Sequence, residues 1–452
     1  MKIFKYIAFI AGITCFLSSC RDYVEIEPEG NSRVLKYTSD YRGLANNYMN
    51  MGNAGGIHLL GSDDAEFSES YQAQITDIWA NAYTWQPTIY NESQGDSDWS
   101  NLYLAIYYAN VMIDGVMESE NGTNAEKEEI IAEAYVHRAF AYLQLVNVYG
   151  PQFDGQNTLN EKAVPLLLTP DLYVSLERAT VNEVYNQIIS DLQSALTYNL
   201  SDLPEFNALP SKAAVYALLA RTYLYMGNYE LALFNAEQVL KLQNTLLSLA
   251  TYKFNPYGYP PVLQNPEVIF SKKLLNMYRG IAISPELLSS FETEDVRFDV
   301  YTASGNNFYP VFEGRAFALN VYSYSNGINV GPSVPEMYLI AAECNVRTGN
   351  IETGMEQLNA LRKSRFTEGA DYVVSASNAT DALDFVIAER RKEFVGRGFR
   401  WFDQKRLNLE DRYRNTITRE FKGNSYSLEP GSAAYVYPVF QNYIDLNPEL
   451  GN

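Results

Sequence analysis

Apolar residues recur at three- and four-residue intervals along 99–116, 125–149, 180–199, 211–241, 335–365 and 382–407. That period places an apolar stripe along one side of an α-helix, so each segment is expected to fold as a helix packed through its stripe. Alternation of the strand kind is short and scattered, at Val268–Phe270 and Tyr435–Val439. Two long stretches, 31–98 and 242–331, are rich in Gly, Asn, Ser and Tyr instead. Loops of that length are functional or disordered. Their aromatic residues argue for order, because disordered segments are poor in aromatics. The predicted fold is all-α, with long irregular loops and a few short strands building the ligand surface.

Two of the helical segments share a pattern. Ala217-Leu218-Leu219-Ala220-Arg221-Thr222-Tyr223-Leu224-Tyr225 runs through Met226 into Gly227-Asn228-Tyr229-Glu230, and Tyr338-Leu339-Ile340-Ala341-Ala342-Glu343 leads to Gly349-Asn350 and then Glu356-Gln357-Leu358-Asn359. A glycine past the last turn can take the left-handed conformation that ends a helix. The asparagine after it can cap the next helix, and small alanines allow close approach. Each copy therefore reads as a helical hairpin of tetratricopeptide (TPR)-like design. The copies lie far apart in the chain, so the long loops are expected as insertions in a hairpin scaffold.

The amino terminus has its own pattern. Lys2 and Lys5 precede an apolar run, Tyr6–Leu17, that ends in Leu17-Ser18-Ser19-Cys20. This is the layout of a secretory signal peptide, and the run is shorter than the roughly twenty residues that span a bilayer as a helix. Leu-Ser-Ser-Cys resembles a bacterial lipobox, which implies cleavage after Ser19, acylation of Cys20 and a membrane anchor made of lipid. Residues 1–19 are read as the leader and 20–452 as a single domain, since no Gly/Ser or Pro-rich linker divides the chain.

Charge and cysteine content narrow the partners. The chain carries 34 basic and 54 acidic residues, a net charge of -20. Loss of Lys2 and Lys5 with the leader makes it more negative still, so nucleic acid, which needs basic patches, is excluded as a partner. Only Cys20 and Cys344 would remain, so no disulfide framework is available. Cys344 lies in an apolar helical stretch and is read as a buried small hydrophobe.

Catalytic chemistry has little foothold. Histidine occurs only as His58 and His137, and no Gly-x-Ser-x-Gly, His-Glu-x-x-His or phosphate-cradling Gly-x-x-x-x-Gly-Lys sequence occurs. Asp96 and Asp98 resemble fragments of a calcium loop without its distal glutamate, and capping of the helix at Trp99 suits them better. No cofactor or metal is expected. A paired-carboxylate glycosidase, which needs two acids a few ångströms apart, is the alternative enzyme class.

Aromatic residues supply the positive evidence for a ligand. The chain has 36 Tyr and 4 Trp, many within the loop stretches. A flat indole or phenol can cover the C–H face of a sugar ring while amides and carboxylates bond its hydroxyl rim, with few rotatable bonds to freeze. The densest cluster is Trp79, Asn81, Tyr83 and Trp85, preceded by Asp64. Tyr257 and Tyr259 form a second candidate beside Tyr252, and Tyr322 and Tyr324 a third, in the same stretch as Tyr301 and Tyr309. Each of these aromatics also suits core packing or a protein–protein contact.

The carboxy-terminal third resembles a known family. Pro335-Glu336-Met337-Tyr338-Leu339-Ile340-Ala341-Ala342-Glu343, Leu358-Asn359-Ala360-Leu361-Arg362, Ile387-Ala388-Glu389-Arg390-Arg391-Lys392-Glu393-Phe394 and Gly398-Phe399-Arg400-Trp401-Phe402-Asp403-Gln404-Lys405-Arg406 look like the SusD/RagB family of outer-membrane nutrient-binding lipoproteins in order and spacing. Asp22-Tyr23-Val24-Glu25-Ile26-Glu27-Pro28 is similar to that family's opening after its lipidated cysteine, and Trp99-Leu102-Tyr103-Ile106-Asn110 resembles its first long helix. The resemblance implies a surface-exposed lipoprotein of the outer membrane that captures oligosaccharides, or peptides, for a TonB-dependent SusC-like transporter. It implies a binding protein rather than an enzyme. The charged residues Glu389, Arg390, Glu393, Arg400, Asp403 and Arg406 are read as an internal ion-pair network, and Trp401 and Phe402 as core.

Overall fold

The first long helix starts where a carboxylate can cap it: Asp96 Oδ1 accepts the backbone N–H groups of Asp98 and Trp99, both at 3.0 Å, satisfying donors that have no partner inside a helix. The computed structural model describes residues 35–91, 94–255, 258–274, 281–317 and 328–451. Cys20 and residues 1–19, read as a leader, together with Tyr257, Tyr322 and Tyr324, lie outside the described residues. The long helices are α1 (Ser97–Gly115), α2 (Asn124–Tyr149), α3 (Val181–Ala195), α4 (Lys212–Tyr225), α5 (Tyr229–Leu242), α6 (Val334–Arg347), α7 (Ile351–Arg365), α8 (Ala379–Glu393) and α9 (Phe399–Leu407). Capping boxes open α2 at Thr123 and Glu126 and α3 at Thr180 and Glu183. The apolar period over 180–199 thus begins with the cap and outruns the helix by a turn.

Helices pack in sequential pairs, α1 on α2, α2 on α3, α4 on α5, α5 on α6 and α6 on α7. Both TPR-like hairpins form as read. Gly227 and Gly349 take φ of 72° and 92°, a conformation that costs glycine nothing and ends α4 and α6 cleanly. Asn228 caps α5 by accepting the Leu231 N–H at 3.1 Å, whereas Asn350 makes no side-chain cap on α7. Ala217, Ala220, Ala232, Ala236, Ala341 and Ala342 are fully buried at these contacts. The main hydrophobic cluster gathers residues from Ala54 to Leu450, and Cys344, Trp401 and Phe402 belong to it.

The two loop-like stretches find each other. Asn53–Ala54 pairs in parallel with Lys273–Leu274, which pairs antiparallel with Ile328–Asn329. Ala65–Glu66 pairs with Ala282–Ile283, and that sheet continues through Arg315–Phe317 to Thr302–Ser304. Strands of two or three residues satisfy backbone groups across a long sequence separation without leaving an alternating pattern to read. The alternation at Tyr435–Val439 is not a strand: Ala433–Tyr435 is a 3-10 turn, and Tyr435 and Tyr437 are buried because they pack on Trp401. Val268 makes only an isolated bridge to Ser333.

Charged residues of α8 and α9 are buried in a network, as read. Glu393 accepts from Arg365 Nε and Nη2, both at 2.9 Å, and from Arg297 Nη1 at 3.1 Å. Arg362 bonds Glu389 at 2.7 Å, and Asp403 ties Arg390 to Arg406, which continues to Glu343. Burial alone would raise the Glu389 carboxyl, but Arg297, Lys392 and Arg362 outweigh it and hold it at about 2. The stability this group contributes is present above its unfolded value of about 4.3 and is lost as pH falls through its folded value.

Candidate ligand-binding site

The predicted aromatic cluster is built on a turn that α1 holds from below. Asp98 Oδ2 accepts the N–H groups of Gly56 at 2.7 Å and Ile57 at 2.9 Å, anchoring the 3-10 helix Ile57–Gly61 that delivers Asp63 and Asp64. Burial, reinforced by neighbouring Asp96, pushes the Asp98 carboxyl up to about 7. The folded chain therefore keeps a proton that the unfolded chain releases near pH 4, so this group's contribution to stability falls as pH rises from about 4 to about 7. Asp98→Asn keeps an acceptor oxygen and removes the charge. The variant is expected to lose that slope and to equal or exceed wild-type stability above about pH 7, by on the order of 1 kcal/mol. Urea denaturation across this range checks it, and a variant weaker than wild type at the alkaline end contradicts it.

Trp85 is the strained member of the cluster. It follows the short helix Asp77–Tyr83 and adopts φ of 55°, a left-handed conformation that is an outlier for so bulky a residue and costs about 1–3 kcal/mol unless its surroundings over-determine it. Here they do. The indole Nε1–H donates to Gly61 O at 2.9 Å, and the Arg419 guanidinium lies 4.5 Å from the Trp85 ring and 4.1 Å from the Tyr83 ring. Arg419 also donates to the carbonyls of Leu60, Tyr83 and Ser62, so one buried cation fixes the turn and the tryptophan together.

The Trp85 ring, 9% exposed, lines a cavity of about 260 Å³ with Gln86, Ile89, Ala433, Tyr437 and Pro438. Ligand pockets ordinarily run from roughly 300 Å³ upward, so this one admits a single ring-sized unit of a longer ligand. Its walls are mostly apolar, and the Gln86 amide sits among them.

The other predicted residues divide. Trp79 is half-buried against the core. Asn81 lies two residues along the same helix, and its Nδ2–H donates to Ile89 O at 3.2 Å, so this amide braces the cavity wall. Tyr83, expected at the ligand surface, is 2% exposed; Phe67 and Phe421 pack on it at 4.8 Å and 5.5 Å and Arg419 covers it, so it is a core support. Asp64, expected beside the ligand, is buried and accepts from Arg391 Nε at 2.6 Å. Burial, then its neighbour Asp63, pushes the Asp64 carboxyl up, while Arg400 and Arg391 hold Asp63 down against its own burial. Tyr259 is half-buried, edge-on to Tyr252 at 5.3 Å. Tyr301 is fully buried with its hydroxyl toward Glu393, whereas Tyr309 is 92% exposed.

Sequence reasoning missed Arg419, Tyr437 and Pro438. Arg419 sits at an inward position of the hairpin Ile417–Phe421 and Asn424–Leu428, where a charged residue masks the apolar alternation. Tyr437 and Pro438 lie more than 300 residues from Trp85, and no local pattern joins them.

Comparison with known proteins agrees with this architecture. Residues 23–224 match a SusD-like family model described as starch-binding and associating with the outer membrane, and residues 334–452 match the SusD family model. A SusD-like protein of Formosa agariphila is 33% identical over 69% of this chain and 71% of its own length. Another from that organism is 24% identical over 90% of this chain and 92% of its own. Among solved structures, a SusD superfamily protein from Bacteroides thetaiotaomicron superposes with a TM-score of 0.74 at 21% identity, covering 92% of this chain and 99% of that one. A protein described as a putative sugar binding protein from Bacteroides vulgatus superposes at 0.72 with 23% identity, covering 93% and 98%. The chain belongs to the SusD family.

Proposed function

We propose that this protein is a lipid-anchored, surface-exposed component of the outer membrane that binds oligosaccharides and delivers them to a TonB-dependent SusC-like transporter. The observation that carries the reading is Trp85, an aromatic ring held in a strained conformation at the wall of a ring-sized cavity. Residues held in such strain by their surroundings cluster at ligand clamps. A sugar ring stacked there leaves its hydroxyl rim to Gln86, and the rest of the chain of sugars extends beyond the cavity mouth. The matching family model is described as starch-binding and the Bacteroides vulgatus neighbour as a putative sugar binding protein, which supports the same ligand class. It acts by binding and handing on, with the chemistry left to other proteins.

The test is an array carrying both oligosaccharides and peptides, probed with the intact protein. Glycan capture that Trp85 substitution weakens supports the reading. Capture of peptides alone overturns it in favour of peptide import, and release of new reducing ends from a bound glycan overturns the non-enzymatic assignment. The anchor has its own test. Cys20→Ala is expected to leave folded protein outside the membrane fraction, because two acyl chains anchor stably at about 0.8 kcal/mol per buried methylene. Unchanged membrane partition contradicts the lipoprotein assignment.

A further inference from the structure

A second cavity lies in the cleft between α8 and α9. Asp384, Ile387, Ala388 and Arg391 line it at helical spacing from α8, and Arg400, Gln404 and Leu407 from α9. Asp63, just past the 3-10 helix Ile57–Gly61, and Tyr435 of the turn Ala433–Tyr435 close it, and the cavity holds about 230 Å³. At about 30 Å³ per water this is the space of roughly eight waters, enough for one molecule the size of a single sugar ring.

The charged groups around this space are matched with one another. Arg400 grips Asp63 through Nε and Nη2, both at 2.7 Å. Arg391 pairs with Asp64 at 2.6 Å and with Glu286 at 2.8 Å, and Asp384 takes the Arg412 guanidinium and the Tyr413 hydroxyl. The remaining polar atoms of the lining are not all matched. Gln404, 7% exposed, leaves its Oε1 without a hydrogen-bond partner, whereas the Asn408 side chain bonds the Tyr435 phenol. Arg391 Nη2 makes no hydrogen bond either and stands 3.5 Å from Asp63. An unpaired buried polar atom loses its hydration without compensation, so an unmatched amide oxygen and an unmatched guanidinium N–H on one cavity mark a place where a polar occupant supplies the missing bonds.

We propose that this cleft is a binding site for one neutral hexose-sized unit, separate from the Trp85 cavity. The inference rests on the reading of the protein as a saccharide binder and adds a second subsite to it. A hydroxyl group both donates and accepts, so neighbouring hydroxyls of one sugar can donate to Gln404 Oε1 and accept from Arg391 Nη2. A carboxylate would face Asp63 and Asp384, whose guanidinium partners are already engaged. Ile387 and Leu407 offer apolar contact to the C–H face.

Saturation-transfer NMR on the intact protein with D-glucose, D-galactose and D-mannose tests the site. At least one hexose is expected to bind. Gln404→Leu is expected to weaken it about tenfold, the loss of one buried hydrogen bond. Ala388→Trp, at an exposed position on the cavity lining, is expected to block it without disturbing the core, which keeps the test open if Gln404→Leu folds poorly. Ala433→Trp, which plugs the Trp85 cavity, is expected to leave the hexose bound. No hexose signal, a signal unchanged in both cleft variants, loss only in Ala433→Trp, or tighter binding of D-glucuronate than of every hexose each overturns the proposal. Oligosaccharide binding measured in parallel separates the two readings: glycan capture without a hexose signal sinks the cleft site alone, and absence of both sinks the saccharide reading with it.

Discussion

Glu336→Ala is expected to destabilise the protein by about 3–5 kcal/mol. Arg221 of α4 and Glu336 of α6 face each other in the core with side chains 1% and 0% exposed. Two charge-assisted bonds join them, Arg221 Nε to Oε1 at 2.6 Å and Nη2 to Oε2 at 2.7 Å. Removing the carboxylate leaves a guanidinium in a dry interior with, among the described residues, only Val330 O, at 3.1 Å, and the Phe399 ring, at 4.6 Å, to receive it. The penalty comes from the stranded charge rather than from the worth of the pair. Replacing both, as Arg221→Met with Glu336→Leu, is therefore expected to recover most of the loss, because an apolar pair of similar volume needs no solvation. Denaturant titration of the single and double variants checks this. A single variant within about 1 kcal/mol of wild type, or a double variant as weak as the single, contradicts the stranded-charge account.

Both members of that pair stand in segments whose helical character is plain in the sequence, yet their contact is not. The apolar period, the capping residues and the Gly-Asn pairs at Gly227 and Gly349 are local signals, and the helices and hairpins follow from them. The bond between Arg221 and Glu336 spans 115 residues, and nothing near either residue specifies the other. The hairpin Ile417–Phe421 and Asn424–Leu428 shows a second kind of concealment. Its inward positions are Ile417, Arg419 and Phe421, and a buried arginine at the centre breaks the alternation by which a strand is recognised. Its turn, Lys422-Gly423 with φ of 49° and 78°, matches the twist of paired strands, but lysine is an unusual first residue there. The same limit governs the site. Aromatic density drew attention to Trp79–Trp85, but composition does not distinguish Tyr83, which supports from below, from Trp85, which lines the cavity. That division is made by Arg419, Gly61 and the 433–438 segment, all brought in by tertiary structure.

Trp85→Ala is expected to weaken oligosaccharide affinity by roughly five- to 150-fold, the equivalent of the 1–3 kcal/mol that stacking on one aromatic face contributes in the analogous case of nucleic-acid bases. The substitution does not act on the ligand alone. It also removes the Nε1–H bond to Gly61 O and the stack on Arg419, and truncating a buried tryptophan typically costs about 3–5 kcal/mol of stability. Relief of the left-handed backbone at residue 85 offsets little, because alanine is also disfavoured there. Affinity and stability are therefore expected to fall together in Trp85→Ala. A second variant separates them. Ala433 is exposed and lines the same cavity, so Ala433→Trp fills the space while leaving Trp85, Arg419 and their bonds in place. It is expected to match the wild-type melting temperature and still to lose glycan affinity by at least about tenfold, since the ring-sized space is gone. Calorimetric titration beside thermal melts reads both quantities. Wild-type affinity in Ala433→Trp, together with a lowered melting temperature in Trp85→Ala, would make Trp85 a core residue held in strain for packing and would move the glycan site to the exposed Tyr309 loop.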